Sequence, residues 1–590
     1  MIFRDLCYEK FSWMGAFLSK LFKTTGDDLD AANMRVHPEI YFSVIGFFAL
    51  STLIIPLILT SIYLLGKWLT IFPGEGKWLL SIPISLLLPL AIIFIGIIIP
   101  KTAASNRIAG LQSEIPYASM YISVMASGGL SPYDSLMRLG HMGLLPNMQG
   151  EVERIQTIAN SRGLDPVSAM ETAAKKISVN DYKELLLGYA STIRTGGDTN
   201  HYLYNQTENM FKNLSSRVRA IGENMGMLME TYTIIGILGV LGIFLIFVIG
   251  ISLPQAGMNV SQGTFFLFSF IFMPFLSVVF IYAADTMQIS YPISNFRTYV
   301  PFLAALPIGG LLATQIVLPF FDKSFLVLYP AYNLVITIRQ LLGFAEGTEP
   351  AIGLAMVLII VAIPGVIADS LYMGRDLSTQ DGVTVFLRDL VETRKSGLSP
   401  ERCFDVLSDR DYKGFTKHLK SINMKLNWGF PIRQIYQEFS EKIRNWLALV
   451  NVYLLIDTLE VGGGSVESLE SLATFSEATK RLEDEKRSLL MPMIVVPYIG
   501  SAMLTATTVM FLSFFTGMAG QGVSVASVEL YKILLTPLAL HAFTLGLVTG
   551  KITSGRVSAG FKHGIFQSFV AMAGVWAVSH MNVSGMFIGG

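Results

Sequence analysis

Nine stretches of the chain are apolar for about twenty residues or more: 41–65, 79–99, 231–253, 264–285, 301–320, 351–372, 491–515, 531–549 and 564–588. A helix rises 1.5 Å per residue, so about 20 apolar residues cross the hydrocarbon core of a bilayer. Each stretch is therefore predicted to be a transmembrane helix. Two long polar stretches, 101–230 and 373–490, separate them. Their apolar residues recur at helical spacing, and their few glycines and prolines fall between the periodic segments, which predicts compact helical bundles. Within 321–350, the segment 324–343 is apolar but broken by Pro330 and followed by Arg339. If the two polar stretches share one side of the membrane, an even number of crossings must separate them. The four spans between them already satisfy this, so the segment is assigned as an outer-face or re-entrant element.

The predicted fold is all-α: a polytopic membrane protein of about nine transmembrane helices with two duplicated helical-bundle domains. Its parts are an arm at 1–40, two spans in 41–100, the first bundle at 101–230, four spans in 231–372, the second bundle at 373–490 and three spans in 491–590. In the arm, Cys7, Phe11, Met14, Leu18 and Leu21 recur at spacings of four and three, with Arg4, Lys10, Lys20 and Lys23 elsewhere on the wheel. That pattern fits an amphipathic helix, lying on the inner leaflet or packed on the protein's own domains. No charged start, short apolar core and small-residue cleavage site marks a removable signal there.

Basic residues set the orientation. Of the 43 Lys and Arg, all but Lys67, Lys77, Lys323, Arg339 and Lys532 fall in the arm, the two bundles and the short turns at 286–300 and 550–563. Arg297, Lys551, Arg556 and Lys562 in those turns place them, and both bundles, in the cytoplasm. The expected location is the cell membrane, crossed several times.

Composition then removes several function classes. The chain is 52% hydrophobic and 15% charged, with 43 basic against 43 acidic residues, so no global field seeks nucleic acid. Cys7 and Cys403 are the only cysteines, which offers neither a disulfide framework nor a zinc site. The string closest to a phosphate-binding loop, Gly546 to Thr553, has short glycine spacing and Ile552 after Lys551. Neither HExxH nor GxSxG occurs. No catalytic, cofactor-binding or metal-binding residue is assigned, and the protein is expected not to be an enzyme. Inside the spans, ionisable groups are sparse: His541 falls within the eighth, with Asp285 and Asp369 at the ends of the fourth and sixth. No buried charge pair of the kind ion coupling uses is expected in the membrane portion. A transporter or channel with regulatory cytoplasmic domains is nevertheless the runner-up reading.

The chain repeats itself at an offset of 266 to 268 residues. Gly129, Leu130, Ser131 and Pro132 recur as Gly397, Leu398, Ser399 and Pro400. Residues 162–166 (RGLDP) stand opposite 428–431 (WGFP), and Gly196 and Gly197 stand opposite Gly462 and Gly463. In the first motif glycine ends one helix, serine caps the next and proline suits its first turn, so the motif is a helix corner used twice. The Gly-Gly pairs mark a later turn. Each copy then runs through a charged helix straight into a span.

This duplicated order resembles the type II secretion system F-domain family, the platform proteins of secretion systems and type IV pili. The extra spans before, between and after the copies make it similar to the archaeal platform proteins, including that of the archaellum. The resemblance implies a platform at the base of a filament, engaging a hexameric secretion or archaellum-type ATPase through its bundles, handling pilin-like or archaellin subunits in the bilayer, and forming a homodimer. Basic clusters are candidate ATPase contacts: Arg194 and Lys212 in the first copy, and Arg388, Arg394, Lys395, Lys480 and Arg481 in the second. The surfaces are mixed, with 12 basic and 12 acidic residues in 101–230 and 17 against 18 in 373–490, which suits steered docking.

Overall fold

The computed structural model describes residues 2–32, 34, 36–52, 81–177, 179–252, 261–289, 291, 296–462, 464–519 and 527–580. Among them every regular element is helical. Helices α1 (Ile2–Leu21), α2 (Thr24–Ala31) and α3 (Pro38–Thr52) come first. The first repeat comprises the end of α4 (Ser81–Ser127), then α5 (Pro132–Leu139), α6 (Pro146–Arg162), α7 (Pro166–Ala174), α8 (Asn180–Arg194) and the start of α9 (Thr199–Ser252). Spans follow in α10 (Gln262–Met287) and α11 (Val300–Ile316), then the short α12 (Tyr329–Leu342). The second repeat comprises the end of α13 (Glu349–Lys395), α14 (Pro400–Ser408), α15 (Thr416–Asn427), α16 (Ile432–Lys442), α17 (Trp446–Gly462) and α18 (Val466–Leu490). Three helices close the chain: α19 (Val495–Ala519), α20 (Ser527–Ser554) and α21 (Gly560–His580). Both repeats thus have the same six-helix order.

Seven helices among the described residues are long and apolar enough to cross a membrane, which makes this a multi-pass membrane protein. Of the two remaining predicted spans, 41–65 is described only through Thr52, and 53–80 lies outside the described residues. The other, 564–588, is described only through His580, in the 21-residue α21, and 581–588 lies outside the described residues. The segment at 324–343 forms the 14-residue α12, roughly 21 Å long and short of a crossing.

The chain divides into two compact units, residues 1–118 with 139–197, and residues 119–138 with 198–590. In the first, α1 turns Cys7, Met14 and Leu18 inward, and Leu18 packs with Phe42 and Ile45 of α3. Of the two readings of the arm, its apolar face packs on the protein itself. Leu21, read as part of that face, instead points outward and is 62% exposed, with Phe17 and Trp13 one and two turns before it. The phenol of Tyr41 donates to the Gly96 carbonyl at 2.8 Å, tying α3 to α4. Glu114 of α4 caps α6, accepting from the Met148 amide at 2.8 Å and from Asn147 at 2.7 Å. Glu151 is buried against Arg107 and Arg154; burial pushes its carboxyl pKa up, while the two guanidinium groups pull it back.

The second unit holds most of the membrane bundle. Its hub is α20, whose most apolar window is 89% buried, against 17 to 50% in the other spans. Phe244, Phe247, Phe265, Leu534 and Leu538 form part of the core around it. The hub packs on α21 through glycines. A Cβ at Gly550 would stand 2.0 Å from the Gly560 nitrogen, and one at Gly546 2.2 Å from the Gly564 nitrogen. Small residues at these four positions let two backbones touch.

Candidate functional site: the junction of the two repeats

The corners behave as their chemistry dictates. Gly129 and Gly397 adopt φ of +89° and +88°, the left-handed conformation that glycine reaches without strain. After the first, Ser131 accepts from the Asp134 amide at 3.1 Å and caps α5. After the second, Ser399 makes no such side-chain bond, although Pro400 still opens α14. The later turns differ from the expected pairing. In the first copy Gly196 is left-handed, with φ of +71°, and Gly197 follows. In the second, Gly462 ends α17, Gly463 lies outside the described residues, and the left-handed residue is Gly464, with φ of +67°. Gly464 presses on the corner, since a Cβ there would lie 3.2 Å from Pro400 Cγ.

Arg394 joins these two turns. Its guanidinium donates to the Leu398 carbonyl at 2.6 Å and to the Gly464 carbonyl at 3.1 Å. Two of its five donors therefore hold the second bundle together. The other six candidate contacts each lie beside a carboxylate. Arg194 pairs with Glu171 at 3.0 Å and Lys212 with Glu208 at 2.8 Å. Lys395 with Glu470 at 3.1 Å, Arg388 with Glu477 at 3.4 Å and Lys480 with Asp381 at 3.3 Å form a ladder along the antiparallel helices α13 and α18. Arg481 shares Glu477 at 3.6 Å and is the most open, at 82%. Exposed pairs of this kind contribute little to stability and exchange partners readily.

The two repeats meet at a buried carboxylate. Asp457 of α17, 3% exposed, accepts from the phenol of Tyr121 at the end of α4 and from Arg138 of α5 at 3.0 Å, with Arg433 of its own repeat 3.8 Å away. Tyr453 and Tyr436 pack beside it, their rings 5.1 Å apart. Burial, with the Asp457 charge adding to it, pushes the Tyr453 phenol up to about 12. Sequence reading missed Asp457 because its counterpart one repeat earlier is Ser191, so the repeat pattern does not mark it.

Beyond this node α9 runs parallel to α18 and then to α19, and the packing follows the repeat. A Cβ at Gly222 would sit 3.4 Å from Leu489 Cβ, one at Gly226 3.2 Å from Met493 Cε, and one at Gly500 2.4 Å from Thr233 Cγ2. Each pair is separated by 267 residues, the repeat offset itself. Glu485 accepts from Ser215 at 2.7 Å and from Arg219 at 2.5 Å, and Phe475 lies between Tyr204 and Phe211. Residues of one copy therefore meet their own equivalents in the other, as in a parallel two-stranded coil.

Charge pairs occur at span ends: Arg339 lies 3.2 Å from Glu349 where α13 begins, and two more sit near the turn between α20 and α21. Asp285 accepts from Lys551 at 2.5 Å. Asp369, 9% exposed, accepts from Ser558 at 2.7 Å with Arg556 at 3.5 Å. The partners of Asp285 and Asp369 come from the last turn of α20 and the turn after it, some 190 to 270 residues away in sequence, which no local reading connects. His541 is buried in α20 and lines a cavity of about 30 Å³ with Tyr232, Ser277 and Thr544. The string that approximates a phosphate-binding loop is helical throughout, and Gly546 and Gly550 serve the α20–α21 contact. Among the described residues no group of three or more His, Cys, Asp or Glu could hold a metal ion.

The sequence profile of the type II secretion system protein F family matches twice, at residues 118–247 and 386–513. An uncharacterized protein of Methanocaldococcus jannaschii is 20% identical over 490 residues, covering 80% of each chain. No solved structure matches.

Proposed function

We propose that this chain, which the profile of the type II secretion system protein F family matches twice, is the non-enzymatic membrane platform of a type IV pilus-like, archaellum-like or type II secretion-like machine. In this reading both bundles, 101–230 and 373–490, lie in the cytoplasm and engage a hexameric secretion ATPase, while the spans handle pilin-like or archaellin subunits; a homodimer is the proposed assembly. The observation that carries it is mechanical. Helix α9 continues without a break for 54 residues, roughly 80 Å, from the glycine turn of the first repeat to the far end of a span. The end of α13 joins a span to the second bundle in the same way, over 47 residues. Force applied to a bundle reaches the bilayer through rigid rods. A carrier would need a charged route through the bundle, whereas the pairs Asp285–Lys551, Asp369–Arg556 and Arg339–Glu349 sit at span ends.

Two measurements test this. With Cys7 and Cys403 buried, maleimide is expected to react little with the wild-type chain. It is expected to label Ser131→Cys and Ser399→Cys, both exposed, only from the cytoplasmic face. Labelling of the two from opposite faces ends the platform reading. In the second, the triple charge reversal Arg388→Glu, Lys395→Glu, Arg481→Glu is expected to reduce capture of the secretion ATPase roughly tenfold or more in a pull-down with the full chain. Undiminished capture removes this face as the docking site. Arg394 is left intact because its loss would disturb the corner it holds.

A further inference from the structure

The second unit contains a cavity of about 640 Å³ where several spans end. It is bounded by the end of α10, the approach to α11, the stretch of α13 just past its apolar run, the start of α17, the last turns of α18 and the turn between α20 and α21. Its depth is already satisfied. Gln288 donates to the carbonyls of Lys551 and Ile552, both at 3.1 Å, while Lys551 is held by Asp285 and by the Gly555 carbonyl at 3.0 Å. Arg556 is held by Asp369.

Two lining cations are placed differently. Lys486 and Arg444 have no carboxylate within ion-pair distance among the described residues. The ammonium of Lys486 stands 5.8 Å from the centre of the Tyr291 ring, which stacks on Trp446 with centroids 4.8 Å apart. The Tyr291 hydroxyl donates to Glu483 at 2.5 Å, which fixes the ring in place. Phe296 and Leu377 also line the cavity and are 68% and 46% exposed, so the opening has an apolar lip. Tyrosine and tryptophan beside lysine and arginine at the ends of spans are the chemistry of the headgroup layer. The lining sets Arg444, Lys486, Lys551 and Arg556 against Asp285, Asp376 and Glu483, and a pocket of net positive charge between transmembrane helices at that level suits a phosphate-bearing headgroup.

We propose that this cavity binds the headgroup of an anionic membrane lipid, its phosphodiester between Lys486 and Arg444 and its chains leaving over Phe296 and Leu377. The volume is in the range that encloses a ligand of several hundred daltons. The walls belong to both the spans and the second repeat, so the bound lipid fastens α17 and α18 to the ends of α10, α11 and α20. The proposal rests on the multi-pass fold and not on the platform reading, and its failure would leave that reading untouched.

The test uses the full chain in detergent, incubated with mixed micelles of phosphatidylcholine with or without phosphatidylglycerol, and counts retained lipid by native mass spectrometry. The wild type is expected to keep one phosphatidylglycerol. The double variant Arg444→Gln, Lys486→Gln is expected to keep roughly tenfold less or lower. Arg481→Gln, on the same helix but outside the cavity, is expected to match the wild type. Leu377→Glu places a carboxylate at the exposed lip without removing a wall, and is expected to give the same loss as the double variant in a protein that folds normally. Retention unaffected by either cavity variant overturns the proposal. So does displacement of the lipid by inorganic phosphate alone, which would make the site one for the free ion. Displacement by an uncharged hydrophobic peptide, with no dependence on Lys486 and Arg444, would assign the cavity to a protein segment and also overturn it.

Discussion

Asp457→Ala is expected to lower the stability of the full chain by about 2–4 kcal/mol, because it leaves the buried Tyr121 phenol without its acceptor and removes the anion that holds Arg138. The side chain of Arg138 is 37% exposed and can turn to water, which keeps the cost below that of stranding a fully buried cation. Asp457→Asn retains one acceptor oxygen and is expected to recover about half of the loss. Thermal unfolding in detergent reads both variants. The second readout is specific to the junction: in Asp457→Ala, a reporter on α5 should gain freedom relative to α17. Equal unfolding midpoints for wild type and Asp457→Ala would show that the two repeats are not fastened at this carboxylate.

Gly550→Leu is expected to have the larger effect on the membrane bundle. Even the Cβ of alanine would meet the Gly560 backbone at 2.0 Å, and backbone cannot rotate out of the way as a side chain can. Alanine is expected to cost about 1–3 kcal/mol and leucine more, since α21 must move off the hub and forfeit its packing along the whole hairpin. Gly310→Ala is the matched comparison, a glycine in a spanning helix with nothing within 4 Å of the added methyl; its effect is expected to stay within about 0.5 kcal/mol. Membrane yield and unfolding midpoint measure all three. A Gly550→Leu protein as stable as Gly310→Ala would mean that α20 and α21 do not pack through these glycines.

These results separate what a linear reading can reach from what it cannot. The all-α, multi-pass fold was legible because hydropathy and helical period both depend on neighbours three or four positions apart. The corners were legible for the same reason: glycine, serine and proline act on their own backbone, and Gly129 and Gly397 adopt nearly the same φ. The second glycine turn shows the limit of aligning letters. Gly462 and Gly463 match Gly196 and Gly197 in sequence, yet the left-handed bend falls at Gly464, where the chain has to clear Pro400 and present its carbonyl to Arg394. Charge was read as a surface open to a partner, but Arg388, Lys395 and Lys480 meet acids on a helix 75 to 99 residues away. Glycines that imitate a nucleotide loop in one dimension are spacers in three. The outward stripe of Trp13, Phe17 and Leu21 was hidden because a single apolar face had been drawn through Leu21.

The register between α9 and the α18–α19 pair limits how the protein can move. Thr233 fits over Gly500 and Leu489 over Gly222, so each bulky side chain faces a gap supplied by its twin. Sliding one rod along the other by a single turn would carry Leu489 from Gly222 to Gly226, a second gap, but would take Thr233 off Gly500. Axial slip is therefore opposed at Thr233 and Gly500, and a thrust delivered to either repeat is shared by both, as a yoke carries the pull of one animal to its pair.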